Sequence, residues 1–315
     1  MKGSPVTVAV YLPSEEKSQD WCNMLGELLP GWKVEPMHAV SDPSAIEYGV
    51  VWRPKTGDLA QFPKLKAIVS IGAGIDHVLA DAALPQDVPI IRTVGTDLTQ
   101  RMREYVALHV LRHHRNMPDI LASQAKSEWN QIVVPPATRR KVGVMGLGNL
   151  GKVAAQTLAG LGFDTHGWAR SPREVGGVTC HAGTEGFDAF LEGTEILVNL
   201  LPLTGETRGI LNASLFNKLA RGACVINAAR GPHLVDQDLV DALASGQVAQ
   251  ATLDVFHVEP LPSDHPFWSH PQITVTPHIA SMIDAPTGGQ IIAANLRQFE
   301  AEGSVPDLAD ARRGY

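Results

Sequence analysis

The stretch KVGVMGLGNLGKVAAQTLAGL, residues 141–161, constrains the fold of this chain more tightly than any other. Lys141 to Met145 has the composition of a buried strand, and from Asn149 to Leu161 apolar residues return at helical spacing. Gly146, Gly148 and Gly151 fall at the junction. The first permits a tight turn, the second lets the backbone approach a pyrophosphate, and the third allows the helix to pack closely on the strand. Asn149, Leu150 and Gly151 open the helix, whose unpaired N–H groups and dipole favour a phosphate. The same residues approach the G-x-x-x-x-G-K spacing of a triphosphate-binding loop through Gly146, Gly151 and Lys152. Val153 stands where that loop needs a magnesium-binding Ser or Thr, so a dinucleotide is the expected ligand. A glycine turn kept only for packing is the alternative.

The alternation of strand and helix extends along the chain. Residues 6–12, 32–37, 49–53, 65–72 and 88–94 are strand candidates, with helical spacing in Trp21 to Leu29 and Gly74 to Ala83 between them. A long helix over 96–116 follows, with Met102, Val106, Val110 and Leu111 on one face and Thr96 or Asp97 as its cap. Its His109, His113 and His114 belong to an interface or to a solvated face. A second run of strands is expected at 141–147, 163–169, 195–201, 223–229, 248–256 and 273–277, the content of a full dinucleotide-binding sheet. A last helix spans about 284–302. β-branched strands alternating with helices imply buried parallel sheets. The expected fold is therefore α/β, with two doubly wound parallel-sheet domains. A Rossmann domain at 97–284 is inserted into a domain made of 1–96 and 285–315.

Composition narrows the partners. A formal charge of −7 disfavours nucleic acid. Cys22, Cys180 and Cys224 are odd in number and widely spaced, which suits free thiols in a reducing compartment. The N-terminal apolar run is only strand-length, and no run approaches the roughly 18 residues of a membrane helix. A cytosolic protein is expected.

About twenty residues after the glycine turn, a dinucleotide site usually carries an Asp or Glu for the adenosine ribose. Here the stretch is GWARS, residues 167–171, with Ala169 in the acid's place. An Asp would repel a 2′-phosphate, whereas Arg170 pairs with one and Ser171 donates a hydrogen bond. Arg173 adds a second positive charge or is simply solvated. The expected cofactor is NADPH/NADP in preference to NAD. One feature runs the other way: Gly151 keeps the third glycine, where some NADP enzymes have Ala.

Arg230, Glu259 and His278 each follow an expected strand, and ligands of parallel α/β sheets bind at the carboxyl ends of strands. Hydride arriving at a carbonyl carbon leaves a negative oxygen that a histidine can protonate. A carboxylate on the other ring nitrogen would hold the tautomer and favour the protonated ring. An arginine fork matches a substrate carboxylate and polarises the adjacent carbonyl. His257, Glu259, His265, His270 and His278 also raise a metal site, but they lack a compact H-x-x-x-H spacing.

These stretches, together with NLLPLTGETRGI (199–210), INAARGPHLVDQDLVDALASGQVAQATLDVFHVEPLP (226–262), HPFWSHPQITVTPHIAS (265–281) and the closing ARRGY, resemble the D-2-hydroxyacid dehydrogenase family, within it the glyoxylate/hydroxypyruvate reductase A type. The resemblance covers nearly the whole chain. It implies a flavodoxin-like substrate domain around the inserted nucleotide domain, usually as a homodimer. It carries the catalytic Arg, Glu and His onto Arg230, Glu259 and His278, and the Asp near the nicotinamide amide onto Asp254. It adds Leu201, Pro202 and Trp168 to the cofactor side. The substrate carboxylate would meet Arg230, His278 and a backbone nest at Gly72, Ala73 and Gly74, a stretch that is otherwise an ordinary strand-to-helix turn. Trp52 resembles an aromatic near the substrate; a core tryptophan is the alternative. Glu259 stands where formate dehydrogenases of the superfamily carry Gln, which argues against that activity. The implied reaction is NADPH-dependent reduction of small 2-keto acids, glyoxylate and hydroxypyruvate, to 2-hydroxy acids. The alternatives are a dehydrogenase of bulkier 2-keto acids and a non-enzymatic dinucleotide-sensing protein.

Overall fold

The computed structural model describes residues 5–309, so the ARRGY stretch lies outside the described residues. The chain divides into two compact units, one ending at Asp97 and resuming at Ile283, the other Leu98–Met282.

The first unit contains β1 (Thr7–Tyr11), α1 (Glu15–Leu28), β2 (Lys33–Pro36), β3 (Tyr48–Val51), β4 (Ala67–Ser70), α2 (Asp76–Leu79) and β5 (Ile90–Arg92). The division falls in the first turn of α3 (Thr96–His114), after which the second unit continues. It holds α4 (Met117–Ala125), β6 (Lys141–Met145), α5 (Asn149–Gly160), β7 (Asp164–Ala169), β8 (Thr179–Ala182), α6 (Glu185–Leu191), β9 (Ile196–Asn199), α7 (Ala213–Phe216), β10 (Ala223–Asn227), α8 (Asp236–Ala244), β11 (Val248–Leu253) and β12 (Ile273–Val275). Helix α9 (Ala285–Glu302) returns to the first unit.

The first sheet runs β2-β1-β3-β4-β5, a flavodoxin-like order, and the second β12-β11-β10-β9-β6-β7-β8, a Rossmann order extended by one strand. Neighbouring strands of both sheets pair in parallel. The period-2 pleat explains why the central strands β6, β9 and β10 carry apolar residues at successive positions. On β6, β9 and β10 the residues Val142, Val144, Ile196, Val198 and Ile226 enter one core cluster, while Met145, Leu197 and Val225 enter the other. Both faces are covered by helices, which favours apolar side chains at the central positions of these strands.

Three elements depart from expectation. The second sheet has a seventh strand, β8, short and half-buried at the sheet edge, with the polar sequence TCHA. Helix α2 spans only Asp76–Leu79 instead of Gly74 to Ala83, because the Asp81 carboxylate accepts the Ala83 amide at 2.8 Å and the Gly57 amide at 3.0 Å. Helix α3 starts at Thr96 itself, so Thr96 and Asp97 lie in its first turn rather than ahead of it as caps.

The buried face of α3 also differs from expectation. Leu111 is 38% exposed, and the face is completed by His109, His113 and His114, each 6% exposed. The solvated-face alternative for the three histidines is thereby excluded. His113 Nε2 lies 2.9 Å from Thr252 Oγ1, His109 tilts against Tyr105, and His114 meets Phe163 edge-on. Burial, with Arg112 adding to it, pushes His109 down to about 4 and His113 down to about 3 from 6.5. Between those values and 6.5 the unfolded chain binds protons that the folded chain refuses. The contribution of these rings to stability is thus complete above pH 6.5 and is lost as pH falls toward 4 and then 3. Urea unfolding is expected to give a lower midpoint at pH 5 than at pH 7, with the difference reduced in His113→Gln. Equal midpoints at the two pH values would contradict this.

Candidate active site

The order of the second sheet reverses between β6 and β9, which places a crevice at the carboxyl ends of these strands. The glycine turn sits there. Gly146 has φ +95°, a left-handed backbone that L side chains avoid, and a Cβ on it would lie 2.7 Å from Leu200 O. A Cβ on Gly151 would lie 1.7 Å from Gly146 O, so the third glycine is demanded by the turn itself. Gly148 is different: it is exposed, and a Cβ there meets nothing within 4 Å. No side chain caps α5, whose first residues Asn149 and Leu150 remain at the surface or half-buried. An uncapped helix N-terminus beside empty space at Gly148 fits a pyrophosphate, since the amides need a partner and the backbone admits one closely.

The GWARS stretch ends β7. Trp168 is half-buried, its indole N–H donates to Gly183 O at 2.9 Å, and its ring tilts on Phe187 at 4.8 Å. That side chain ties β7 to the segment after β8. Beyond the strand end Arg170 and Ser171 are exposed, with the Arg170 guanidinium 3.9 Å from the exposed Glu206 carboxylate. An exposed pair at that distance is weak and yields easily to a doubly charged phosphate. Arg173 is exposed as well.

Of the three acid-site residues, two touch directly. His278 Nδ1 lies 2.7 Å from Glu259 Oε2, and Glu259 Oε1 accepts the Phe256 amide at 2.9 Å. The carboxylate therefore has one oxygen on the backbone and the other on the imidazole, which aims Nε2 away from Glu259. Arg230 leaves the end of β10, its Nη1 donating to its own chain at Ala229 O, 2.6 Å away. Gly231 next to it packs so closely on the other strand-end turn that a Cβ would lie 2.0 Å from the Phe256 carbonyl carbon. Arg230's turn is thus pressed against the turn that leads to Glu259.

Asp254 explains the placing of His278. Its carboxylate, 1% exposed, accepts Thr276 Oγ1 at 2.6 Å and the amides of Ile279 and Ala280 at 2.9 Å each. These bonds grip the chain on both sides of His278, which adopts a left-handed φ of +55°. Burial raises the Asp254 carboxyl above its ordinary range, opposed by these hydrogen bonds. Tyr105 Oη, at 2.8 Å from Thr276 Oγ1, extends the chain of contacts to α3.

The strand-end asparagines were not singled out from sequence. Asn199 and Asn227 are both fully buried, and Asn199 Nδ2 donates to Asn227 Oδ1 at 3.0 Å. Asn199 Oδ1 accepts the Leu201 amide, and Asn227 Nδ2 donates to Arg230 O at 3.1 Å. Leu201 is buried and Pro202 half-buried, in the turn after β9. An amide closing an otherwise apolar strand, as in ILVN and ACVIN, was the available signal.

In the first unit, Gly72, Ala73 and Gly74 follow β4. Gly72 O accepts the Thr93 amide and Gly74 O accepts Ser70 Oγ–H, so the bonds that fix this loop use its carbonyls. That leaves its amides for an anion, as in a nest. Trp52 follows β3 and is half-buried, with its ring 4.5 Å from His77 and so near the loop that a Cβ on Gly72 would lie 2.8 Å from it. Elsewhere, the histidines considered as metal ligands are engaged locally: His265 and His270 accept the Phe267 and Gln272 amides, and His257 pairs with Asp236 at 3.4 Å. Among the described residues no group of three or more His, Cys, Asp or Glu is placed to hold a metal.

Comparison with known proteins decides the family. A model of the NAD-binding domain of D-isomer-specific 2-hydroxyacid dehydrogenases matches residues 107–280. The chain belongs to that family. It is 40% identical to a glyoxylate/hydroxypyruvate reductase A of Yersinia enterocolitica, over 98% of this chain and 100% of the relative. A D-isomer-specific 2-hydroxyacid dehydrogenase of Xanthobacter autotrophicus, solved with NADPH and MES, superposes with a TM-score of 0.91 at 42% identity, covering 99% of this chain and 100% of that one. An NADPH-dependent glyoxylate/hydroxypyruvate reductase of Sinorhizobium meliloti, solved with NADP and sulfate, gives a TM-score of 0.91 at 39% identity, covering 98% and 100%. Membership makes the chain an enzyme, a 2-hydroxyacid dehydrogenase, and sets aside the non-enzymatic alternative. Among the described residues no helix of this dehydrogenase is long and apolar enough to cross a membrane.

Proposed function

We propose that this dehydrogenase reduces small 2-keto acids, glyoxylate and hydroxypyruvate first among them, to 2-hydroxy acids with NADPH. The observation that carries the reading is the 2.7 Å contact between His278 Nδ1 and Glu259, on a turn held by Asp254. The Leu98–Met282 unit binds the cofactor, and the unit formed by the two ends of the chain is the substrate domain. Gly146, Gly148 and Gly151 admit the pyrophosphate to the amides of Asn149 and Leu150, with Leu201 and Pro202 forming the facing wall. Arg170 and Ser171 hold the 2′-phosphate, and Trp168 fixes the strand that presents them. Bound NADPH would supply the hydride to the carbonyl carbon. His278 then delivers a proton from Nε2 to the oxygen, while Glu259 keeps the ring oriented through Nδ1. Arg230 and the amides of Gly72, Ala73 and Gly74 grip the substrate carboxylate, and Trp52 limits the room beyond it. Asp254 orders the loop at the nicotinamide end.

Leu108, Leu121, Trp129 and Val133, at 61%, 43%, 92% and 94% exposed, follow one another along α3, α4 and the segment after them, which suits a homodimer contact. Three free thiols suit a reducing cytoplasm. Burial pushes the Cys22 and Cys224 thiols up to about 12, which keeps them inert.

Steady-state assay with NADPH over glyoxylate, hydroxypyruvate and phenylpyruvate tests the substrate class. The two small acids are expected to have the higher kcat/KM. A preference for phenylpyruvate would transfer the assignment to a dehydrogenase of bulkier acids.

A further inference from the structure

His233 takes part in none of the steps above, yet it is fully buried three residues after Arg230. Burying an imidazole strips its nitrogens of water, and an apolar side chain would fill the same space without that cost. Both ring nitrogens meet backbone groups of different turns. Nδ1 lies 3.2 Å from the Arg230 amide, which donates to it, and Nε2 lies 3.2 Å from Pro202 O. With Nδ1 accepting, Nε2 carries the hydrogen and donates it to Pro202. The ring therefore spans the turn that carries Arg230 and the turn that carries Leu201 and Pro202. Asn199 and Asn227 tie the roots of the same two turns together beneath it.

We propose that His233 is a positioning residue, a cross-brace that sets the Arg230 guanidinium against the Leu201–Pro202 turn so that substrate clamp and cofactor wall keep one geometry. The proposal rests on the roles given above to Arg230 and Pro202. It touches no ligand itself and acts only through the two backbones it joins.

Nδ1 also lies 3.2 Å from Arg230 O, on the same turn as the amide, and the contacts to the Arg230 turn and to Pro202 can be removed separately. In His233→Gln the side-chain amide nitrogen still reaches toward Pro202 O, while nothing replaces Nδ1 at the Arg230 amide. In His233→Asn the side-chain oxygen falls near the position of Nδ1 and the Pro202 bond is lost. Amide exchange by NMR on the free protein reads the first bond directly. The Arg230 amide is expected to exchange about tenfold faster in His233→Gln and near the native rate in His233→Asn. Fluorescence titration with NADPH reads the second, with affinity falling about fivefold in His233→Asn, the loss of one neutral hydrogen bond, and staying near native in His233→Gln. In turnover, His233→Gln raises KM for glyoxylate while kcat and the KM for NADPH hold.

Native Arg230 exchange in His233→Gln would overturn the brace. So would native KM and NADPH affinity in both variants alongside a lowered melting temperature, since that pattern marks packing alone. Should the unmodified enzyme reduce none of the keto acids, the proposed function fails instead, and amide exchange with NADPH titration still decides the brace.

Discussion

Replacing His278 with alanine is expected to lower kcat for keto-acid reduction by about 10²–10⁴-fold, the range a positioned general acid contributes. NADPH affinity should stay near the native value. The separation follows from how the turn is built. The Asp254 carboxylate holds the chain through Thr276 Oγ1 and the amides of Ile279 and Ala280, none of which belongs to His278. Alanine therefore removes the ring but none of the bonds that hold the loop, and those bonds keep the left-handed φ of +55°. Single-turnover kinetics with an NADPH titration check both halves. Native turnover in His278→Ala would remove the acid from the mechanism, and lost NADPH binding would mean that the ring itself orders the cofactor side.

Two glycine substitutions in one turn are expected to fail for opposite reasons. In Gly151→Ala the new methyl would sit 1.7 Å from Gly146 O, and the obstacle is backbone that cannot swing aside. Strand end and helix start must separate, at a cost of about 1–3 kcal/mol or more, with loss of NADPH binding as the phosphate-facing amides move. In Gly148→Ala the methyl meets nothing within 4 Å, and φ of −73° suits alanine, so folding should be native. NADPH binding should nonetheless fall steeply, because the methyl occupies the space the pyrophosphate needs. Thermal melts with NADPH titration distinguish the two. Native NADPH affinity in Gly148→Ala would place the cofactor elsewhere. The steric reason for Gly151 also answers the objection raised by its identity: in this turn a third glycine reflects the approach of α5 to Gly146 O and says nothing about the 2′-phosphate.

The central strands were legible because both faces of each sheet are covered there, so that residues such as Val142, Val144, Leu197, Val198, Val225 and Ile226 form apolar runs that stand out against the helices. β8 was not, since TCHA sits at a half-buried edge where polar residues cost little. Helix α2 was over-extended because its stop is a carboxylate, Asp81, bonding amides at Ala83 and Gly57, and no local pattern reports a bond across 24 residues. The buried face of α3 was misread at Leu111 for a related reason. His109 and His113 occupy core positions by giving up their charge, which a polar–apolar pattern cannot express. Within the site, Glu259 and His278 were legible as acid and base types following strands. What made them a pair, a 2.7 Å contact across 19 residues, came from the fold. Asn199, Asn227 and His233 were missed because each is an ordinary polar residue until the chain places it, fully buried, between two turns.

GWARS, with Ala169 in the acid's place and Arg170 and Ser171 exposed beyond β7, is expected to select a 2′-phosphorylated cofactor. The most direct test is kcat/KM for NADPH and for NADH, measured on the same enzyme at saturating glyoxylate. NADPH is expected to exceed NADH by at least about tenfold, equivalent to about 1.4 kcal/mol of transition-state binding. Equal efficiencies with the two cofactors would contradict it.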